Sequence, residues 1–419
     1  MDLKQKLIKT ARDAQDASRF MLSLPTATKN KVLEDMAKEL LCAKEFIFKA
    51  NKKDIAFCLK QGRPAAFIDR LRINDRCLQE MSDSLAALAG LPDPVGEVIK
   101  VLHRPNGLCI HKVRVPIGVI VIIYESRPNV TAECAGLCFK SGNSVILRGG
   151  SEALNSNNAI YKILRGVLKK YAVHPGAINL VDSADRQAVD ILLKLNNYID
   201  LVIPRGGEGL IKKVVKASRI PVIKHYKGIC HVYVNKSADL NMAEEICFNA
   251  KVQRPGVCNA MECMLVDEDI AGRFLPVMLK RFRDAGVEIR GCLLTQRIAK
   301  MGVKRATEKD YHTEYLDLVL SVKVVKGLNE AVNHINYYGS HHSDSIVTEN
   351  KKDAGEFLKK VDSACVYVNA STRFTDGYQF GLGAEIGIST DKLHARGPMA
   401  LEELTTYKYM VFGNGQIRI

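Results

Sequence analysis

The sequence predicts an α/β protein built mainly from two successive parallel-sheet domains, and three observations predict it. The first hundred residues carry apolar side chains at helical spacing. The continuous apolar run Ile117-Gly118-Val119-Ile120-Val121-Ile122-Ile123-Tyr124 then opens a series of short strands separated by helical segments, and a second such series starts near Cys230. With 419 residues and 47% hydrophobic content the chain can bury large cores, and its length favours two or three domains over one.

From Thr28 to about Leu59 the apolar positions Val32, Leu33, Met36, Leu40, Leu41 and Phe46 recur every three or four residues, the period of an amphipathic helix. Near Pro94 the pattern changes. Val98–Leu102 and Ile110–Val115 flank the turn-rich Arg104-Pro105-Asn106-Gly107 and predict a long hairpin. The run at 117–124 is too short to span a membrane and suits a strand buried on both faces. Further apolar runs at Ser144–Leu147, Ala177–Val181 and Ile199–Pro204 continue the rhythm of a parallel sheet with crossover helices, a class that binds nucleotides at the carboxyl ends of its strands. The second series runs through Cys230–Val234, Met264–Val266, Val322–Val325 and Cys365–Asn369, with a boundary near residue 230 at the break Lys227-Gly228. The last stretch, Tyr407 to Ile419, is β-prone and suited to pairing with another subunit.

Composition excludes several classes. The N-terminus lacks the apolar run of a signal peptide and no stretch approaches the roughly 18 residues of a membrane span, so the expectation is a cytoplasmic protein without a membrane partner. Twelve cysteines are scattered without CxxC pairs or Cys/His spacing, which predicts neither a disulfide framework nor a metal site. A formal charge of +15 raises nucleic-acid binding, but Lys and Arg are dispersed among 46 acidic residues and there is no Trp. Anionic small molecules explain the positive field equally well.

Four segments can carry chemistry. Arg148-Gly149-Gly150 and Arg205-Gly206-Gly207-Glu208-Gly209 each follow a strand, where glycine lets backbone approach a ligand and amides at a helix start favour phosphate; the plain alternative is two tight turns. Around Cys258, Gln253-Arg254-Pro255-Gly256-Val257-Cys258-Asn259 places a thiol on a constrained loop beside an arginine. That setting can hold a nucleophilic thiolate, although the local residues leave an inert core cysteine equally open. Cys247 and Cys263, among apolar neighbours, fit core positions. The tract from Asn369 to Glu385 is rich in hydroxyls and glycines and holds one arginine; it is either a loop that binds a carboxylate and an ammonium group or a solvated connector.

At these residues the chain resembles the γ-glutamyl phosphate reductase family of the aldehyde dehydrogenase superfamily along essentially its whole length. The blocks that carry the resemblance are Val115–Ile120 with Tyr124–Thr131, Val145–Gly150, Ile203–Gly207, Gln253–Asn259 and Val368–Gly377. It implies an aldehyde dehydrogenase-like α/β fold: a Rossmann-like NADPH-binding domain at 1–96 and 118–230, a second α/β catalytic domain at 231–401, and a small β oligomerisation element at 97–117 and 402–419. It implies a homo-oligomer. The implied reaction is reduction of L-glutamyl 5-phosphate by NADPH to L-glutamate 5-semialdehyde and phosphate, the second step of proline synthesis from glutamate. The unstable acyl phosphate would come from a separate glutamate 5-kinase, possible contact with which the sequence leaves open.

The resemblance also assigns roles. Cys258 becomes the nucleophile that forms a thioester; the Cys258 amide and the side chains of Asn259 or Asn129 become candidate oxyanion donors; and Arg254, Ser371, Thr372 and Arg373 become substrate contacts. Arg148 resembles the basic residue near the adenosine ribose, which suits a 2′-phosphate and hence NADPH. Gly149 belongs to the same turn. Arg205, Gly206 and Gly207 resemble the turn beside the cofactor pyrophosphate or nicotinamide, and Glu314 resembles the residue that orients the nicotinamide ribose. Aldehyde-oxidising relatives hydrolyse the thioester with a glutamate on the strand before the cysteine loop. Here Pro221–His231 contains no carboxylate, which favours phosphate release over hydrolysis; His225 is either a substitute base or, as a lone histidine more often is, structural.

Overall fold

An aspartate opens the first helix. Asp2 accepts the Gln5 amide at 2.7 Å while Gln5 Oε1 accepts the Asp2 amide at 3.2 Å, a capping box ahead of the helix Leu3–Met21. The helix buries Leu7, Ala11, Ala14, Ala17 and Met21, spaced by three and four residues as a core-facing stripe requires. The computed structural model describes residues 1–224 and 226–418, and at Ala66 the backbone alone. The expected helix from Thr28 to Leu59 is two helices, Thr26–Cys42 and Lys44–Lys60, joined at Ala43. The apolar phase slips there: Phe46, on the stripe by spacing, is half exposed, and Ile47 takes the buried position. A fourth long helix, Asp75–Gly90, packs against Thr26–Cys42.

The chain divides into two units, Met1–Lys224 with Gly381–Gly387 and Met399–Ile419, and His225–Phe380 with Ile388–Pro398. In the first unit, β1 (Val98–His103) and β2 (Cys109–Pro116) form the expected hairpin. Strands β3 (Val119–Tyr124), β4 (Ser144–Arg148), β5 (Ile178–Leu180) and β6 (Leu201–Arg205) form a parallel sheet ordered β5-β4-β3-β6. Every residue of β3 and β4 is buried, as their unbroken apolar runs require. Registers Ile123↔Arg148 and Tyr124↔Arg205 bring the carboxyl ends of three strands level, so the segments after them share one edge.

In the second unit, seven parallel strands run in the order β10-β9-β11-β8-β7-β12-β13. They are β7 (Cys230–Val234), β8 (Met261–Asp267), β9 (Glu288–Gly291), β10 (Lys304–Arg305), β11 (Val319–Val325), β12 (Ser343–Val347) and β13 (Cys365–Val368). β12 is fully buried although it begins Ser343-Asp344-Ser345. Each polar group there has a partner: Ser343 Oγ lies 2.6 Å from Thr375 Oγ1, Asp344 accepts the His231 amide at 2.8 Å, and Ser345 Oγ donates to the Ala370 carbonyl at 2.7 Å.

The last strand, β14 (Thr405–Phe412), lies antiparallel along β2 of its own chain, from Thr405↔Pro116 to Phe412↔Cys109. It forms one edge of the sheet β1-β2-β14 and is exposed over Thr406–Phe412. No helix among the described residues is long and apolar enough to cross a membrane.

Candidate active site

Helix Leu240–Val252 and β8 are joined by the turn segment 253–260, in which Pro255 and Gly256 stop the helix and present Cys258 before the chain enters the sheet. Cys258 is half-buried, whereas Cys230, Cys247 and Cys263 are fully buried, and burial pushes each of those three thiols upward in pKa, away from thiolate. The Asn259 side chain locks this loop to the segment after β13. Its Nδ2 donates to the carbonyls of Thr375 at 2.8 Å and Arg373 at 3.3 Å, its Oδ1 accepts from the Arg373 guanidinium, and its own carbonyl accepts the Thr372 hydroxyl at 2.7 Å.

That lock separates the predicted substrate contacts. Thr372 is fully buried, with its hydroxyl held by Asn259, and the nearly buried Ser371 accepts the Arg373 amide at 3.3 Å. Arg373 is half-buried, and its Nε donates to Gln253 Oε1 at 2.9 Å. Burial and then the neighbouring Arg254 charge lower the Arg373 pKa, while Cys258 opposes them. The Arg373 guanidinium thus lies within electrostatic reach of both the Arg254 charge and the thiol, in a setting suited to anions.

Under the thiol loop lies Gly228. A Cβ there would sit 1.9 Å from the Cys258 carbonyl oxygen and 2.6 Å from its Cα, so only glycine fits. The Gly228 amide donates to Glu314 Oε1 at 2.8 Å. A carboxylate from position 314 therefore binds the backbone of Gly228, within the segment 221–231 that holds none of its own. His225 lies outside the described residues.

In the first unit, the segment after β3 ties the two glycine turns together. Glu125 Oε2 accepts the Gly207 amide at 2.9 Å, and Glu152 Oε1 accepts the Ser126 amide at 3.0 Å and its hydroxyl at 2.8 Å. Gly207 caps helix Glu208–Ala217 and has open space where a side chain would stand. A Cβ on Gly206 would meet Glu125 Oε2 at 2.6 Å, and one on Gly149 would meet Asn157 Nδ2 at 2.1 Å. Arg205 is half-buried at the end of β6. Arg148, 7% exposed, donates to the Gly149 carbonyl at 2.5 Å, and its buried Nε has no hydrogen-bond partner among the described residues. Asn129 begins helix Asn129–Lys140 and donates to Glu133 Oε1 at 2.9 Å. Arg148, Gly149, Arg205–Gly207 and Asn129 thus belong to the first unit; Cys258, Asn259, Arg254, Glu314 and Ser371–Arg373 belong to the second.

Sequence reasoning did not single out Gly228, Glu125 or Glu152. Their signals were present but ambiguous: Lys227-Gly228 stands as a domain break, and Glu125 sits inside the Tyr124–Thr131 block. His231, Cys263 and His334 meet in the core of the second unit, from β7, β8 and the helix Gly327–Tyr338, and Cys263 takes the core position read for it from the sequence. Burial holds His334 neutral down to about 2, and Cys263 Sγ lies 3.7 Å from its Nε2.

The chain is similar to known proteins along its whole length. Residues 3–289 match the family described as the aldehyde dehydrogenase family. The γ-glutamyl phosphate reductase of Thermodesulfovibrio yellowstonii is 58% identical over 418 residues, 100% of both chains, and that of Caldanaerobacter subterraneus is 57% identical over 408 residues, 97% of this chain and 98% of that one. The crystal structure of the γ-glutamyl phosphate reductase of Thermotoga maritima superposes with a TM-score of 0.96 at 48% identity, covering 99% of this chain and 100% of that one. An acetylating aldehyde dehydrogenase of Geobacillus thermoglucosidasius shares the fold, with a TM-score of 0.69 at 16% identity, over 100% of this chain and 98% of that one.

Proposed function

Because this chain belongs to the aldehyde dehydrogenase family and, within it, to the γ-glutamyl phosphate reductases, we propose that it reduces L-glutamyl 5-phosphate with NADPH to L-glutamate 5-semialdehyde and phosphate, through a thioester on Cys258. The observation that carries this reading is a half-buried thiol on a glycine-seated loop, within electrostatic reach of Arg373, which itself neighbours the Arg254 charge. The Cys258 thiolate attacks the acyl carbon, the carbon–oxygen bond to phosphate breaks, and inorganic phosphate leaves, taking one proton from water to become the dianion. Bound NADPH supplies the hydride that reduces the thioester carbonyl. The carbon–sulfur bond then breaks, the aldehyde leaves, and the thiolate is regenerated. Arg254 and Arg373 are assigned the anionic substrate and the Cys258 amide the oxyanion; Asn129, in the first unit, is the further candidate donor that the family resemblance adds. Asn259 acts as a strut, because its amide already holds two carbonyls; Ser371 and Thr372 shape the same loop from behind.

The first unit suits the cofactor. Arg148 has a buried, unpartnered Nε to offer a 2′-phosphate, with Gly149 beside it, and Arg205, Gly206 and the open backbone at Gly207 suit a pyrophosphate. Glu314 is assigned the nicotinamide ribose. The sheet β1-β2-β14 is assigned the pairing of subunits, with the glutamate 5-kinase that makes the substrate as a possible further partner. The reaction is tested in reverse. With semialdehyde, NADP⁺ and phosphate, the protein is expected to form NADPH only when phosphate is present, and Cys258→Ser to abolish it. Turnover without phosphate would point to aldehyde oxidation, and full activity in Cys258→Ser would remove the proposed nucleophile.

A further inference from the structure

Two elements flank the thiol loop, and a buried ion pair joins them. Lys251, in the last turn of helix Leu240–Val252, places Nζ 2.7 Å from Glu262 Oε2 on β8, and both side chains are fully shielded from solvent. The other oxygen, Glu262 Oε1, accepts the Leu316 amide at 3.0 Å. Leu316 stands at φ 53°, a left-handed conformation costly for a branched side chain, so something must hold it there. Two residues earlier in that segment is Glu314, which takes the Gly228 amide; Gly228 in turn is pressed against the Cys258 backbone.

We propose that Lys251 and Glu262 are positioning residues for the nucleophile: the pair closes the ends of the 253–260 loop, and through Leu316 and Glu314 it fixes Gly228 beneath Cys258. The proposal rests on the assignment of Cys258 as the nucleophile. Neither residue touches the thiol; both act through the segment 314–316 and the loop ends. A pair this deep is a poor source of net stability, because removing two ions from water offsets most of their attraction. Its retention fits a role in holding geometry.

The arrangement carries a pH dependence. Burial pushes the Glu262 carboxyl up to about 7, against the pull of Lys251 and the Leu316 amide and with the push of Glu314. Asp317 and Cys230 also act on Lys251, and the Cys230 and Cys263 thiols feel the Glu262 charge. Below about 7 Glu262 becomes neutral, its hold on the Leu316 amide weakens, and the seat under Cys258 loosens.

The test reads the thiol itself, by iodoacetamide labelling of the Cys258 peptide quantified by mass spectrometry across pH 5.5–9. Replacing only one partner would leave a lone buried charge and risks unfolding, so the variant is the double Lys251→Met/Glu262→Gln. In the wild-type protein the labelling rate should show a step near 7 in addition to thiol ionisation. In the double variant that step should disappear, with kcat falling on the order of 100-fold and KM for the acyl phosphate changing little. A folded double variant with the wild-type labelling profile and kcat overturns the proposal. Amide exchange in the unmodified protein decides the matter if the double variant does not fold. After correction for intrinsic rates, Leu316 and Gly228 should lose protection together between pH 8 and pH 6 while β8 keeps its own; unchanged protection overturns the proposal. Activity in Cys258→Ser tests the nucleophile, whereas labelling and exchange test the clamp, so the two readings fail separately.

Discussion

At the scale of single residues, the site depends on contacts that leave no room. Gly228 needs no unusual backbone conformation; it needs to be glycine because the Cys258 backbone occupies the space of its side chain. Gly228→Ala must therefore push the thiol loop aside. We expect kcat to fall about 100-fold, with an overpacking cost of roughly 1–3 kcal/mol, read from steady-state rates and the thermal unfolding midpoint. Arg373 has a different dependence, since its planar fork reaches Gln253 and Asn259 while facing the anion site. Arg373→Lys keeps the charge and loses the fork. KM for the acyl phosphate is expected to rise on the order of tenfold, equivalent to about 1.4 kcal/mol, and an unchanged KM would place the substrate's anionic groups elsewhere.

At the scale of elements, the loop between β10 and β11 bears the load. Asp310 accepts the Thr307 amide at 2.7 Å and hydroxyl at 2.6 Å, the Arg290 guanidinium at 2.7 Å and the Tyr315 hydroxyl at 3.1 Å. Although burial acts in the opposite direction, these donors bring its pKa down from 3.8 to about 2. A depressed carboxylate stabilises the fold above its unfolded pKa and loses that contribution as pH falls through the folded one. Asp310→Asn should thus unfold at lower urea at pH 7, by about 2 kcal/mol, and the gap should narrow from pH 4 towards pH 2. A pH-independent gap would assign the effect to packing. The same scale shows what sequence could tell. β7, β8, β11 and β13 announce themselves as apolar runs, while β12 does not, because its serines and aspartate are satisfied by His231, Ala370 and Thr375, groups distant in the chain. Likewise the Cys258 loop is legible from its Pro-Gly turn and surrounding blocks. Lys251 and Glu262 look like any helix and strand charges, for their meaning lies wholly in a tertiary contact.

At the scale of the whole molecule, β14 carries a row of exposed side chains along a sheet edge, with Val411 56% and Phe412 53% exposed. Such edges in natural proteins are blunted or covered. Under the subunit-pairing assignment, Val411→Lys should shift sedimentation to a smaller species while the monomer fold, by circular dichroism, is retained, since exposed substitutions cost within about 0.5 kcal/mol. An unchanged sedimentation coefficient would remove the edge from the interface. The buried pair at the ends of the thiol loop has a further consequence, for how this sequence can change over generations. Exchanging either Lys251 or Glu262 alone strands its partner's charge in the core, while exchanging both costs little in stability. The two positions therefore form one heritable unit, and a lineage that abandons the pair must cross a valley of poorly folded single mutants or change both codons together.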